Sequence, residues 1–142
     1  VILSACRKLS RTHDRLIVES AGGLLVPLTR SYSTLDLAAA LELPLIVVAC
    51  AALGTINHTL LTLKAARSAG LTVKAVVLNR PSPGCADETE RQIETDNRRV
   101  IEESGQTIVF GPLTHIPGAG IERGPTVELA LELEKTGAMS LI

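Results

Sequence analysis

Short aliphatic runs alternate with longer amphipathic stretches along most of the chain. The runs Leu45-Ile46-Val47-Val48-Ala49-Cys50 and Val73 to Leu78, the latter closing on Asn79, read as buried strands. Between them, Ile56, Leu60 and Leu63 recur at helical spacing, with Thr55 as N-cap and Gly70 as the stop. Pro44 bars helix continuation and opens the first of these strands. Upstream, residues 14–19 end an apolar run in Glu19 and are expected to form the first strand, after a helix over 2–12. Residues 29–34 read as a polar loop, and Thr34 as the cap of a short helix over 35–41. Downstream the pattern predicts a loop over 81–87, a polar helix over 88–104 with Glu94 and Arg98 as an i,i+4 pair, and a strand over 107–110. An irregular Gly/Pro-rich loop runs to Pro125, and Thr126 caps a last helix over 127–135.

Strand–helix–strand units with short loops predict an α/β fold: a doubly wound, mostly parallel sheet flanked by helices, with residues 1–142 as a single domain. Composition narrows the core. Apolar residues make up 46%, yet there is one Phe, one Tyr and no Trp, so the interior must be aliphatic. A net charge of −1 gives no reason to expect nucleic acid as a partner, and the apolar runs are too short to span a membrane. Cys6, Cys50 and Cys85 are odd in number and without C-x-x-C spacing, which fits reduced thiols of a cytoplasmic protein, with Cys50 as core filler. The chain starts without Met inside a helical pattern, and the expectation is that it begins partway through a longer protein.

In such a sheet the strand carboxyl ends share one edge, where ligands bind. Glu19 follows the first strand, Gly54, Thr55 and Asn57 the second, Asn79 the third, and the segment 111–118 the fourth. Glu19 before Gly22 and Gly23 suits a hard oxygen ligand for Mg²⁺ or a base, and equally an ordinary strand-to-turn transition. Gly54 to Asn57 opens a helix whose amides can hold a carboxylate or phosphate, or simply a capped helix. Asn79 offers a donor and an acceptor suited to a purine edge, and equally a turn. His58, His115 and the Arg30–Tyr32 pair read most simply as surface or loop residues. No nucleophile pattern is present, so no catalytic side chain is assigned.

The segments V-E-S-A-G-G-L-L-V-P-L, A-L-G-T-I-N-H-T-L-L-T, V-V-L-N and G-P-L-T-H-I-P together resemble the dethiobiotin synthetase family, over residues 14–118. L-G-T-I-N-H-T-L-L-T is the most specific. The resemblance implies a P-loop NTPase-like fold, incomplete at its N-terminus. It implies an enzyme of biotin biosynthesis that takes ATP, CO₂ and 7,8-diaminopelargonate, with Mg²⁺, as a homodimer. By position, Glu19 matches the Mg²⁺-binding acid beside the nucleotide, and Gly22 and Gly23 the loop at the substrate amines. Gly54, Thr55 and Asn57 match the helix start that holds the substrate carboxylate, Asn79 the adenine-reading Asn, and Pro117 and Gly118 the loop lining the base. Ser20 stands where the family usually has Gly, and Ala52 where a basic or polar residue is common. The family's G-x-x-x-x-G-K-T phosphate loop and second acidic Mg²⁺ ligand do not occur in these residues and are expected before Val1; without them the chain alone is expected to be inactive and to bind ATP weakly. A remnant serving as a binding or dimerising module, and another P-loop ATPase of the superfamily, remain as alternatives.

Overall fold

A computed structural model describes residues 1–80, 88–118, 124 and 126–141. The elements are α1 (Ile2–Leu9), β1 (Pro27–Thr29), β2 (Tyr32–Ser33), α2 (Thr34–Leu41), β3 (Leu45–Cys50), α3 (Thr55–Ser68), β4 (Val73–Asn79), α4 (Glu88–Gly105), β5 (Val109–Leu113) and α5 (Val127–Thr136), followed by a 3₁₀ turn at Ala138–Leu141. The loop predicted at 81–87, with Cys85, lies outside the described residues.

Strands β3, β4 and β5 form a parallel sheet in that order. Parallel neighbours need crossovers, and α3 and α4 supply them by packing on one face. That face carries the core, Leu63, Val76, Leu78, Ile101 and Val109, with Val47 and Ala49 against it. Every one of these is aliphatic, as the near absence of aromatics requires. On the opposite face Phe110, which alternates with Val109, meets Gly137 at the end of α5. The result is an α/β sheet with helices on both faces, P-loop NTPase-like in layout.

The face of α3 turned to the core is not the predicted leucine stripe alone. Thr55, Thr59, Leu63 and Ala66 are its buried positions, while Ile56 and Leu60 pack at the margin of the core. The end of α4 comes very close: a Cβ on Gly105 would lie 2.8 Å from Leu63 Cδ1. Gly105 therefore sets the spacing between α3 and α4.

Several expectations are corrected. Residues 15–20 run without regular secondary structure rather than as a strand. Among the described residues no strand lies alongside to share a ladder, and an extended segment becomes a strand only through a partner. The segment over 29–34 is not a simple loop. Pro27 pairs with Ser33 and Thr29 with Tyr32 in a tight antiparallel hairpin. Its end caps α2, so Ser33 rather than Thr34 is the N-cap, and Ser33 and Asp36 satisfy each other's backbone N–H groups in a capping box. Gly54, not Thr55, is the N-cap of α3. Cys50 is exposed, because alternation along β3 turns Ile46, Val48 and Cys50 away from α3. The last strand is shifted forward to Val109–Leu113. Gly111 permits this: its φ is +92°, and a Cβ there would sit 2.5 Å from the Leu78 carbonyl oxygen. Only glycine fits that position.

Candidate active site at the strand ends

Register gathers the candidates. Cys50 pairs with Asn79, and Asn79 with Leu113, so three consecutive parallel strands end in line. The turn after β3, Asn79 itself and the residues after Leu113 consequently share one edge of the sheet. The Ala51 N–H donates to the Asn79 carbonyl oxygen at 2.8 Å, which fixes the backbone there and leaves the exposed Asn79 side chain for other contacts.

A cleft of about 1260 Å³ lies between residues 15–24, α2, β3 and the start of α3. Glu19, Gly22, Gly23, Thr55 and Asn79 all line it. Gly54 and Asn57 lie in the turn and first turn of α3 beside it, and Pro117 and Gly118 are exposed in the loop beyond β5, outside the cleft wall. His58, Thr59 and Thr62 line the cleft as well. His58 is exposed, as expected of a helix-surface residue, while Thr59 and Thr62, which carry no motif in the sequence, join Thr55 on one helical face.

The start of α3 is built for an anion. Gly54 enters with φ +90° and no side-chain cap is present. The Thr55 N–H is taken by the Ala52 carbonyl and the first helical bond runs from His58 N–H to Gly54 O. The Ile56 and Asn57 amides follow as N–H groups without a helical acceptor, at the positive end of a helix of 14 residues. The hydroxyls of Thr55 and Thr59 are buried with no hydrogen-bond partner among the described residues.

Glu19 is the carboxylate among the described residues of the cleft wall, and it is exposed. The Ser20 hydroxyl donates to the Gly22 carbonyl at 3.0 Å, turning the chain just after Glu19. Among the described residues no three His, Cys, Asp or Glu side chains gather into a metal site. One carboxylate nevertheless fits Mg²⁺, which usually keeps waters and takes one or two carboxylates together with substrate phosphates.

Charged side chains brace the same edge from behind. Glu94 does not pair with Arg98. It pairs with Arg80, whose Nε lies 3.0 Å from Glu94 Oε1, while Arg98 donates to the Gly111 carbonyl oxygen at 3.3 Å. From α5, Glu132 accepts the Thr114 N–H at 2.8 Å. Hydrogen bonds from the Thr114 hydroxyl and N–H, then the charges of Lys135 and Arg80, hold the Glu132 carboxyl below its ordinary range. At α2, the Ser33 hydroxyl and N–H do the same for Asp36. No helix among the described residues is long and apolar enough to cross a membrane.

Comparison with known proteins places this arrangement. A family model described as "AAA domain" matches residues 1–122. The ATP-dependent dethiobiotin synthetase BioD of Anaeromyxobacter dehalogenans (strain 2CP-1 / ATCC BAA-258) is 54% identical over 82 residues, covering 58% of this chain and 37% of that protein. The protein of the same name from Anoxybacillus flavithermus (strain DSM 21510 / WK1) is 39% identical over 116 residues, covering 81% of this chain and 50% of that one. The one from Bacillus cereus (strain G9842) is 43% identical over 111 residues, covering 78% and 44%. The chain thus spans half or less of the length of these relatives. Over the part they share, the chain belongs to the AAA-domain family matched here and is dethiobiotin synthetase-like.

Proposed function

We propose that this chain is the part of an ATP-dependent dethiobiotin synthetase that holds the diamine and the adenine. The observation that carries the reading is the in-line ending of β3, β4 and β5, which brings Asn79 to the same edge as the start of α3 and the loop after β5. The names and identities of the relatives support it.

In this reading the diamine, 7,8-diaminopelargonate, lies with its carboxylate on the Ile56 and Asn57 amides, capped by Gly54 and Thr55. Its two amines face Gly22 and Gly23. One amine takes up CO₂ as a carbamate. A carbamate oxygen attacks the γ-phosphorus of ATP and ADP leaves. The second amine then attacks the carbamoyl carbon, phosphate departs, and the ureido ring closes. Each step needs reactants held in line and negative charge neutralised, rather than a side-chain nucleophile. Glu19 would hold Mg²⁺ together with the nucleotide phosphates; the ion supplies charge neutralisation there. Asn79 reads the adenine edge, with Pro117 and Gly118 along the base. The enzyme works in the cytoplasm as a homodimer, whose partner subunit completes the carboxylate site.

The test uses the full polypeptide with diamine, bicarbonate and Mg·ATP. Dethiobiotin and phosphate should form in equal amounts, and Glu19→Gln should keep the fold while losing most Mg²⁺-dependent turnover. ATP hydrolysis indifferent to the diamine would overturn the reading.

A further inference from the structure

Glu132 lies on α5, whose Leu133 joins the cleft wall while Glu132 itself does not, and its carboxylate is directed at the strand-end edge. It accepts the Thr114 N–H at 2.8 Å, and its side chain is only 12% exposed. Thr114 directly follows Leu113, and Leu113 is the strand partner of Asn79. A carboxylate from a separate helix therefore ties down the first residue of the loop that leaves β5 beside Asn79. Arg98 ties the same segment three residues earlier, at the Gly111 carbonyl oxygen. Around Glu132 the charged groups are Lys135 on its own helix, at 4.0 Å, and Arg80 at the end of β4, itself paired with Glu94 of α4. A loop amide bonded to an ionised acceptor is held more firmly than one bonded to water or to a neutral carbonyl. Ordering a loop before its ligand arrives removes that cost from binding.

We propose that Glu132 is a positioning residue for the nucleotide: by pinning Thr114 it fixes the course of residues 115–118 along the base. The proposal rests on the reading that Asn79 and this loop receive adenine. Glu132 touches no reacting atom and acts only through Thr114.

The experiment compares Glu132→Ala, Glu132→Gln and Asn79→Leu in the full polypeptide. It reads the KM for ATP, the KM for the diamine, kcat, and amide hydrogen exchange over 114–118. Glu132→Ala should raise the KM for ATP about tenfold, as expected for one charge-assisted hydrogen bond, and leave kcat and the diamine KM within about twofold. It should also speed exchange at the Thr114 amide. Glu132→Gln, whose amide oxygen still accepts the N–H, should recover most of the loss. Should Glu132→Ala fail to fold, Glu132→Leu, which keeps the bulk and removes the acceptor, takes its place and should raise the KM for ATP about tenfold. An unchanged KM for ATP in Glu132→Ala, or in Glu132→Leu where that variant takes its place, overturns the positioning role when Asn79→Leu raises it. Equal rises in both KM values overturn it too, as the mark of a merely structural residue. No effect from Asn79→Leu either would overturn the adenine reading and the proposal together.

Discussion

Glu94 reaches Arg80, fourteen residues away, and passes over Arg98 one helical turn along its own helix. Both side chains are more than four-fifths buried, at 12% and 18% exposure. The pair joins the middle of α4 to the residue that follows Asn79, so it helps set where β4 ends. Removing Glu94 takes from a largely desolvated Arg80 the carboxylate that it meets through Nε and a terminal nitrogen. Glu94→Ala should therefore cost about 2 kcal/mol, below the value for a fully buried pair because some water reaches this one. Urea unfolding measures it. A cost under about 0.5 kcal/mol would class the contact with ordinary surface pairs.

Gly111 stands against the Leu78 carbonyl oxygen, where a Cβ would lie at 2.5 Å, in a left-handed backbone conformation. Neither the carbonyl nor the strand can yield without disturbing the β4–β5 ladder. Gly111→Ala should destabilise by about 2–4 kcal/mol, combining backbone strain with overpacking. Thermal unfolding should show a drop of many degrees, whereas Gly23→Ala, whose Cβ would meet nothing within 4 Å among the described residues, should shift it little.

Acid should loosen the fold in a defined window. Asp36 and Glu132 are both held below their ordinary values of 3.8 and 4.5, chiefly by hydrogen bonds from Ser33 and Thr114. For a carboxylate lowered in the folded state, the stabilisation is fully present above the unfolded value. It is lost as pH falls through the folded one. Stability should thus be flat in these two contributions above about pH 5 and decline below about pH 4. A protein carrying Asp36→Asn and Glu132→Gln should show a shallower acid decline than the parent. Identical slopes would remove both groups from the acid response.

Much of this was legible in the chain. β3, β4 and α5 lie within about a residue of where periodicity and capping residues put them, because each combines a clear pattern with a clear stop. The segment ending at Glu19 was not legible as it stands. Its residues have strand character, but strand formation depends on a neighbour that a local pattern does not specify. Glu94 was misassigned for the same reason: spacing on a helix ranks Arg98 first, and only the tertiary fold brings Arg80 into reach. The gathering of candidate residues at strand carboxyl ends followed from parallel topology alone. Glu132 carried no sequence mark, since nothing local links an α5 carboxylate to an amide 18 residues earlier.

The start of α3 should discriminate between substrates. Its free amides favour an anion, and a charge-assisted hydrogen bond there contributes about 1.5–3 kcal/mol. Asn57→Pro, which removes one of these N–H donors in the first helical turn where proline is tolerated, should raise the KM for the diamine at least about tenfold and change that for ATP little. Equal effects on both would place the helix start elsewhere in the mechanism.

The central claim, ring closure through a phosphorylated carbamate, is tested most directly by the fate of oxygen. CO₂ labelled with ¹⁸O is supplied to the full polypeptide with the diamine and Mg·ATP, and the phosphate is analysed by mass. The carbamate oxygen that attacks ATP must leave with the phosphate, so one ¹⁸O per phosphate is predicted when dethiobiotin forms. Phosphate free of label, formed at the same rate as dethiobiotin, would mean that ATP is split by water and would contradict the account.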